Sequence, residues 1–205
     1  MIDFKYPEAQ GLYNPAFEHE ACGIGMIANI NGKRTHNIVQ NAINMLCNME
    51  HRGGQSADTS TGDGAGILTQ IPDRFFQKQC AKEGVTLPRA GEYAIAMIFL
   101  PNELETRVEC KEIIETIVEE EGQTFLGWRP VPLNDSFIGT LATKTKPTIR
   151  QGFIQKAPEI TDSKSFERKL YVIRKRIEKA MNQNTSYNDT YICSLSSRTI
   201  VYKGM

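Results

Sequence analysis

The 205 residues are enough for one domain or one and a half, and 40% hydrophobic with 23% charged residues is typical of a globular protein. Lys and Arg number 24 and Asp and Glu number 24, so neither a basic surface for nucleic acid nor an acidic tail is expected. The longest apolar stretch, residues 93–100, is much shorter than the ~20 residues of a membrane span, so no membrane partner is expected.

The first part of the chain predicts a leader, a strand and a helix. Residues 1–21 are polar and aromatic, lack the hydrophobic segment of a secretory signal, and look irregular. Residues 24–30 alternate apolar and polar side chains as a strand does, and Asn31-Gly32 then marks a hairpin or a tight turn. Residues 37–49 place apolar side chains at helical spacing, with a wide stripe for burial, and Gly53-Gly54 ends that helix.

The rest of the chain alternates strands with long helices after a glycine-rich loop. Asp73 is expected to cap the first of these helices, and the last two strands are expected to form a hairpin around residues 196–198. Several strands alternate apolar and polar residues, which predicts an α+β fold of antiparallel or mixed sheets with helices covering one face each. The predicted strands are 67–71, 93–100, 125–129, 149–155, 191–195 and 199–202, and the predicted helices are 74–83, 104–121 and 164–182.

The spacing of the cysteines indicates reduced thiols, and one cysteine, Cys22, is accompanied by several glycine-containing motifs. Five cysteines at wide spacing, without a CxxC pair, give no disulfide framework and no metal site, which predicts a cytoplasmic location. Cys22 has a small residue before it and glycines at 23 and 25, which let the backbone approach a substrate closely. By itself such a cysteine is most simply a buried small hydrophobe. Three further motifs lie downstream in the chain: residues 51–54 (His-Arg-Gly-Gly), 57–58 (Ala-Asp) and 61–66 (Thr-Gly-Asp-Gly-Ala-Gly).

Together with Gln70-Ile71-Pro72, these motifs resemble the class II glutamine amidotransferases, and the 61–66 stretch is similar to the amino-terminal glutaminase domains of glutamate synthases. The similarity runs from about residue 14 to residue 203. It implies a four-layer αββα sandwich of the Ntn-hydrolase kind, incomplete at its carboxyl end. It also implies that residues 1–21 are a leader and that residues 22–205 are the front part of the amidotransferase domain.

The resemblance further implies that cleavage after Ala21 frees the α-amino group of Cys22. A free α-amino group has a pKa of about 7.7–8.0, close to working pH, whereas an amide nitrogen has no basicity. The amine would take the thiol proton and later protonate the departing ammonia. The thiolate would attack the side-chain amide of glutamine, and water would hydrolyse the resulting glutamyl thioester.

Other residues acquire expected roles by the same resemblance. Arg52 would hold the cysteine terminus and favour the thiolate, although an arginine there could instead cap the carbonyl groups of the preceding helix. Gly23, His51 and Gly53 are expected in the loop near the site, and His51 is not needed as a base. The stretch from Gly62 to Gly66 matches neither a dinucleotide fingerprint nor a P-loop and is expected to be a tight connection lining the site.

The sequence also departs from the family. In the family, an Arg-Phe-Ser-Thr segment, an Asn-Gly pair that forms the oxyanion hole and an acidic residue that grips glutamine all lie downstream of these motifs. None of these downstream elements is present here, and residues 197–199 lack the pattern. The 205 residues alone are therefore expected to be inactive. The remainder of the parent is expected to bind FMN and an iron–sulfur cluster, to join ammonia to 2-oxoglutarate, and to meet a small electron-donating subunit. Two alternatives stay open: a non-catalytic fragment or interaction module, and a redox sensor that uses Cys22.

Overall fold

The computed structural model divides the chain into two compact units, Met1–Gly54 and Gln55–Met205. Each unit has its own secondary structure and is described by itself. The residues that the structure describes are 8–11, 14, 23–50, 53–54, 58 and 60–204.

The first unit contains helix α1 (His36–Asn48), which confirms the helix predicted over 37–49. Its apolar stripe is half-buried, and none of its side chains is fully buried. The tight turn before it is confirmed as well. Gly32 has a φ of 67° and donates its N–H to Asn29 O at 2.9 Å, while Asn29 Oδ1 accepts from the N–H groups of Asn31 and Lys33.

The strand predicted over residues 24–30 is wrong. The segment has no strand hydrogen bonds, and its apolar side chains are exposed, with Ile24 at 92% and Met26 at 89%. An alternating pattern specifies which side chains share a face, but a strand also needs a partner whose backbone groups satisfy its own. Among the described residues of this unit there is no strand, so the pattern lacks a partner.

The second unit contains two antiparallel sheets. Four strands follow the order β3-β4-β2-β5, and β1 pairs with β6 in a separate two-stranded sheet. The predicted α+β fold with antiparallel sheets is confirmed. The strands are β1 (Ala65–Gln70), β2 (Tyr93–Leu100), β3 (Thr124–Pro130), β4 (Thr148–Gln155), β5 (Tyr191–Ser196) and β6 (Thr199–Gly204). The helices are α2 (Asp73–Lys82), α3 (Leu104–Glu120), α4 (Thr140–Thr145) and α5 (Ser163–Met181).

The central strand β2 is buried on both faces, which explains its continuous apolar run. One face, with Ala96 and Ile98, packs against α3 and α5, and the other, with Ile95 and Met97, packs against side chains of α2 and β6. Fully burying an aliphatic or aromatic side chain contributes about 1.5–3 kcal/mol, so these two clusters supply most of the stabilisation of this unit. The helix layer, the four-stranded sheet and the β1–β6 sheet thus lie in succession.

The predicted hairpin between the last two strands is also wrong, because β5 pairs with β2 while β6 pairs with β1. The chain crosses from one sheet to the other at Ser196. Its Oγ accepts from the N–H groups of Arg198 and Thr199, and Glu167 of α5 accepts from both the N–H and the hydroxyl of Ser197. These contacts, and not a two-residue turn, fix the backbone at the crossing.

In two of the five described α-helices, α3 and α5, the N-cap residue caps the helix with its own side chain. The carboxylates of Glu103 and Asp162 accept from the first N–H groups of α3 and α5. Asp73 was expected to cap α2, but α2 starts after Pro72 and Asp73 accepts from the Tyr93 hydroxyl at 3.0 Å instead. A buried tyrosine hydroxyl needs a partner, and this need outweighs the local cap. No helix among the described residues is long and apolar enough to cross a membrane.

Candidate active site

Three of the predicted site residues, Cys22, His51 and Arg52, lie outside the described residues. Gly23 and Gly53 are described, and both are exposed. A Cβ built on Gly23 would lie 2.8 Å from the Sδ of Met49, the residue that directly follows α1. Gly53 donates its N–H to Glu50 O at 3.0 Å. Within the first unit, therefore, the residue that follows the predicted nucleophile lies against the end of the helix that leads into the His-Arg-Gly-Gly motif.

Asp58 lies at the centre of a polar cluster in the second unit. Its Oδ2 accepts from the Leu141 N–H and from the Thr140 hydroxyl, each at 3.1 Å, and its backbone O accepts from the Thr61 N–H at 3.1 Å. Gly139, which precedes α4, donates its N–H to Ser60 O. We call Asp58, Thr61, Gly139, Thr140 and Leu141 the Asp58 cluster. It fastens the loop before β1 to the first turn of α4.

The Asp58 cluster is tightly packed and favours an ionised carboxylate. The buried atoms Asp58 Oδ1 and Thr61 Oγ1 have no hydrogen-bond partner of normal geometry among the described residues, and both crowd the position of a Cβ on Gly139. The Thr61 hydroxyl, followed by the Leu141 N–H, holds the pKa of Asp58 below its usual value. Asp58 therefore serves as an N-terminal cap supplied from a distant part of the chain.

The glycines of the 61–66 motif have a packing role in this structure. A Cβ on Gly64 would lie 3.0 Å from Gly204 O, and a Cβ on Gly66 would lie 3.0 Å from Tyr202 O. Both distances are tighter than ordinary van der Waals contact, so glycine allows β1 to approach β6 this closely. The last residues of the stretch expected to be a tight connection, Ala65 and Gly66, belong to strand β1. The expected position of the stretch beside the catalytic residues stays a prediction.

A cavity of about 850 Å³ lies beside this strand pair within the second unit. Its wall is mainly apolar and includes Gly64–Leu68, Phe99 and Leu133. Two lysines reach its rim: Lys146 pairs with Asp135, and Lys203 donates to the Tyr191 hydroxyl at 2.9 Å. Part of the glycine motif therefore forms a wall of a sizeable cavity, which is a common setting for a binding site.

The described thiols other than Cys47 are poor nucleophiles. Cys80, Cys110 and Cys193 are buried, and desolvation raises the pKa of each thiol, to about 11 for Cys80. Cys47 on α1 is exposed. No group of three or more His, Cys, Asp or Glu side chains among the described residues is arranged to hold a metal ion.

The segment Ser197-Arg198-Thr199 has structural contacts. The Ser197 hydroxyl donates to Glu167, and the Arg198 guanidinium donates to Ser163 Oγ at the start of α5. These side chains are therefore engaged with α5.

Two features of the second unit were not predicted from the sequence. The partners of Asp58 at Thr140 and Leu141 are 82 and 83 residues away in the chain, and no local pattern announces such a contact. The buried Arg129, in an otherwise apolar and aromatic strand, faces Gln151 across the sheet. In the sequence, the only signal for this buried charge was a single arginine in a strand without other charged residues.

The comparisons with known proteins agree with this arrangement. Residues 22–205 match the family described as class-II glutamine amidotransferases, and the chain belongs to that family. It is 50% identical over 200 residues to the glutamate synthase (NADPH) large chain of Bacillus subtilis strain 168, which covers 97% of this chain and 13% of the relative.

Similarity extends to eukaryotic relatives. The chain is 41% identical over 203 residues to glutamate synthase (NADH) of Schizosaccharomyces pombe, covering 97% of this chain and 10% of the relative. It is 40% identical over 201 residues to the ferredoxin-dependent glutamate synthase 2 of Arabidopsis thaliana, covering 97% and 12%. The chain thus spans only about a tenth to an eighth of the length of these relatives.

Proposed function

We propose that this chain is the glutaminase part of a glutamate synthase, in which Cys22 attacks glutamine, forms a glutamyl thioester and releases ammonia. The observation that carries the proposal is the family match, which begins at residue 22 and continues to residue 205. The match starts at the cysteine that cleavage would make the first residue, which supports a leader over residues 1–21 and an amidotransferase domain over 22–205.

The geometry of the first unit supports a shared site for Cys22 and Arg52. Gly23 is bonded to Cys22 and lies against Met49, three residues before Arg52 in the chain. In this proposal, the guanidinium of Arg52 holds the cysteine terminus and favours the thiolate, because arginine stays charged at any useful pH. His51, Gly23 and Gly53 form the surrounding loop, and the free α-amino group is the base.

The ammonia would pass to synthase domains of the longer polypeptide, which would form glutamate from 2-oxoglutarate. FMN and an iron–sulfur cluster would bind there. The three buried cysteines do not fit a cluster, since Cys110 lies in one core and Cys80 and Cys193 lie in the other, on the opposite face of the sheet. The names of the relatives specify three different electron donors, NADPH, NADH and ferredoxin, although all three relatives are similar to this segment. This supports a location outside the segment for the residues that select the donor and for the contact with any small electron-donating subunit. A cytoplasmic location stays a prediction.

The test uses the longer polypeptide and measures ammonia released from glutamine. Cys22→Ala is expected to abolish release, because the variant loses the nucleophile, and Cys47→Ala, the exposed cysteine on α1, is expected to retain it. A glutamine-analogue electrophile should label Cys22. Wild-type release by Cys22→Ala, or labelling at Cys47 or Cys193 alone, would refute the assignment.

Two further measurements separate processing from chemistry. The intact mass should correspond to a chain beginning at Cys22, and a Cys22→Ala variant that still loses residues 1–21 would show that the cysteine does not drive the cleavage. The 205-residue chain alone is expected to release ammonia at least ~10²–10³-fold more slowly than the longer polypeptide, since it lacks the oxyanion donors.

A further inference from the structure

Arg129 of β3 is a buried cation whose side-chain contacts among the described residues are with neutral groups. The residue is 7% exposed, its Nη1 donates to Gln151 Oε1 at 2.8 Å, and its guanidinium lies 5.6 Å from the centre of the Phe75 ring. No carboxylate among the described residues forms an ion pair with it. Because arginine does not give up its proton in proteins, its burial without a counter-charge is unfavourable.

The groups around Arg129 supply more hydrogen-bond donors than acceptors. Gln151, directly opposite on β4, is fully buried, and its Nε2 makes no hydrogen bond of normal geometry with the described residues. The amide lies near Tyr202 of β6: burial raises the pKa of Tyr202, and the Gln151 amide opposes that rise. Gln151 Oε1 is already occupied by Arg129. Gln151 Nε2 is thus a buried N–H group that lacks an acceptor of normal geometry and lies beside a positive charge.

We propose that Arg129 and Gln151 form a binding site for a single carboxylate group. The Phe75 ring lies against the guanidinium, and in the guanidinium plane the two oxygens of a carboxylate match two N–H groups. One negative charge neutralises the one positive charge, and burial strengthens the attraction. The amide of Gln151 completes the site with a further donor.

A carboxylate of this kind has two sources, and both present the same chemistry. It is either a free small carboxylate or an Asp or Glu side chain from another part of the longer polypeptide. Formate is the probe, because it is the smallest carboxylate and reaches a site with a narrow opening. Chloride at equal ionic strength is the reference, because it is monovalent but spherical.

The first test measures the unfolding midpoint of the 205-residue chain in formate and in chloride. Formate at ten times its dissociation constant should raise the folded-to-unfolded ratio by about 11-fold. Arg129→Met should lose this response. Arg107→Met should keep it, because Arg107 donates to the carbonyl oxygens of Pro101 and Asn102 and already has acceptors. An equal formate response in wild type and Arg129→Met overturns the proposal.

The second test supplies the carboxylate from within the chain. Gln151→Glu, nearly identical in shape, should raise the unfolding midpoint at pH 7 and remove the formate response. In the Arg129→Met background the same change should lower the midpoint, since it buries an uncompensated charge. An undiminished formate response in Gln151→Glu overturns the proposal even if Arg129→Met does not fold.

Comparison with the longer polypeptide identifies the source. If formate stabilises the 205-residue chain and also the longer polypeptide, the ligand is a free carboxylate. If it stabilises the 205-residue chain alone, a side chain of the longer polypeptide occupies the site. Absence of a specific formate effect in the 205-residue chain overturns both versions.

Discussion

An added methyl group at Gly139 is expected to disrupt the Asp58 cluster. A Cβ at this position would lie 2.6 Å from both carboxylate oxygens of Asp58 and would overlap Thr61 Oγ1. The backbone φ of Gly139 is −69°, which suits alanine, so the contact itself and not backbone strain opposes the substitution. Gly139→Ala therefore tests whether the loop before β1 is fastened to α4 as the structure shows.

The expected cost follows from two opposing effects. Overpacking a close contact typically costs 1–3 kcal/mol. Replacing glycine by alanine also restricts the unfolded chain, which contributes about 0.4–1 kcal/mol in the opposite direction. The two ranges together give about 0–2.6 kcal/mol, and contacts of 2.6 Å place Gly139→Ala in the upper part, at about 1–2.6 kcal/mol of net destabilisation. Gly204→Ala is the matched control, because a Cβ there meets nothing within 4 Å, and its effect should stay within about 0.5 kcal/mol.

Urea unfolding followed by tryptophan fluorescence measures this cost directly. Trp128 is the single tryptophan and lies on β3 of the same unit, so the signal reports the unit that contains Gly139. The midpoint should fall without a change in the slope m. Thr61→Ala removes the nearest oxygen, so the double variant should be more stable than the sum of the single effects predicts by about 0.5 kcal/mol or more. Equal costs at Gly139 and Gly204, or strict additivity with Thr61→Ala, would refute the reasoning.

Three further predictions concern the second unit. Burial raises the pKa of the folded-state Cys80 thiol to about 11, above the usual 9.0, so the buried thiol favours the folded state below pH 9 and this stabilisation is lost as the pH rises through 11. In unfolding titrations, Cys80→Ala should therefore reduce the alkaline loss of unfolding free energy by about 2–3 kcal/mol. Tyr93→Phe deletes the hydrogen bond to Asp73 and should cost about 0.5–1.5 kcal/mol by urea unfolding, and an unchanged midpoint would contradict the contact. Glu167→Ala removes the acceptor at the sheet crossing and should cost about 1–3 kcal/mol, whereas exposed Glu112→Ala should stay within about 0.5 kcal/mol; equal effects would show that the crossing does not depend on Glu167.

The sequence alone determined the elements whose signal is local. Helices α3 and α5 carry capping carboxylates, and their apolar residues recur at helical spacing, so their bounds agree with the prediction within about two residues. The apolar run of β2 indicated a strand, because eight such residues between turn signals suit burial on both faces. The motifs around residues 22, 51–54 and 61–66 were sufficient to indicate the family that the comparisons show.

Only the tertiary structure decided which backbone groups became partners. Residues 24–30 have the alternation of a strand but no ladder, and β5 and β6 are adjacent in sequence but pair in different sheets. Asp58 caps a helix 82 residues away, and Arg129 faces Gln151 across a strand pair. Side-chain periodicity is set by neighbours within a few residues, whereas hydrogen-bond partners and buried charges are settled by chain segments that meet only on folding.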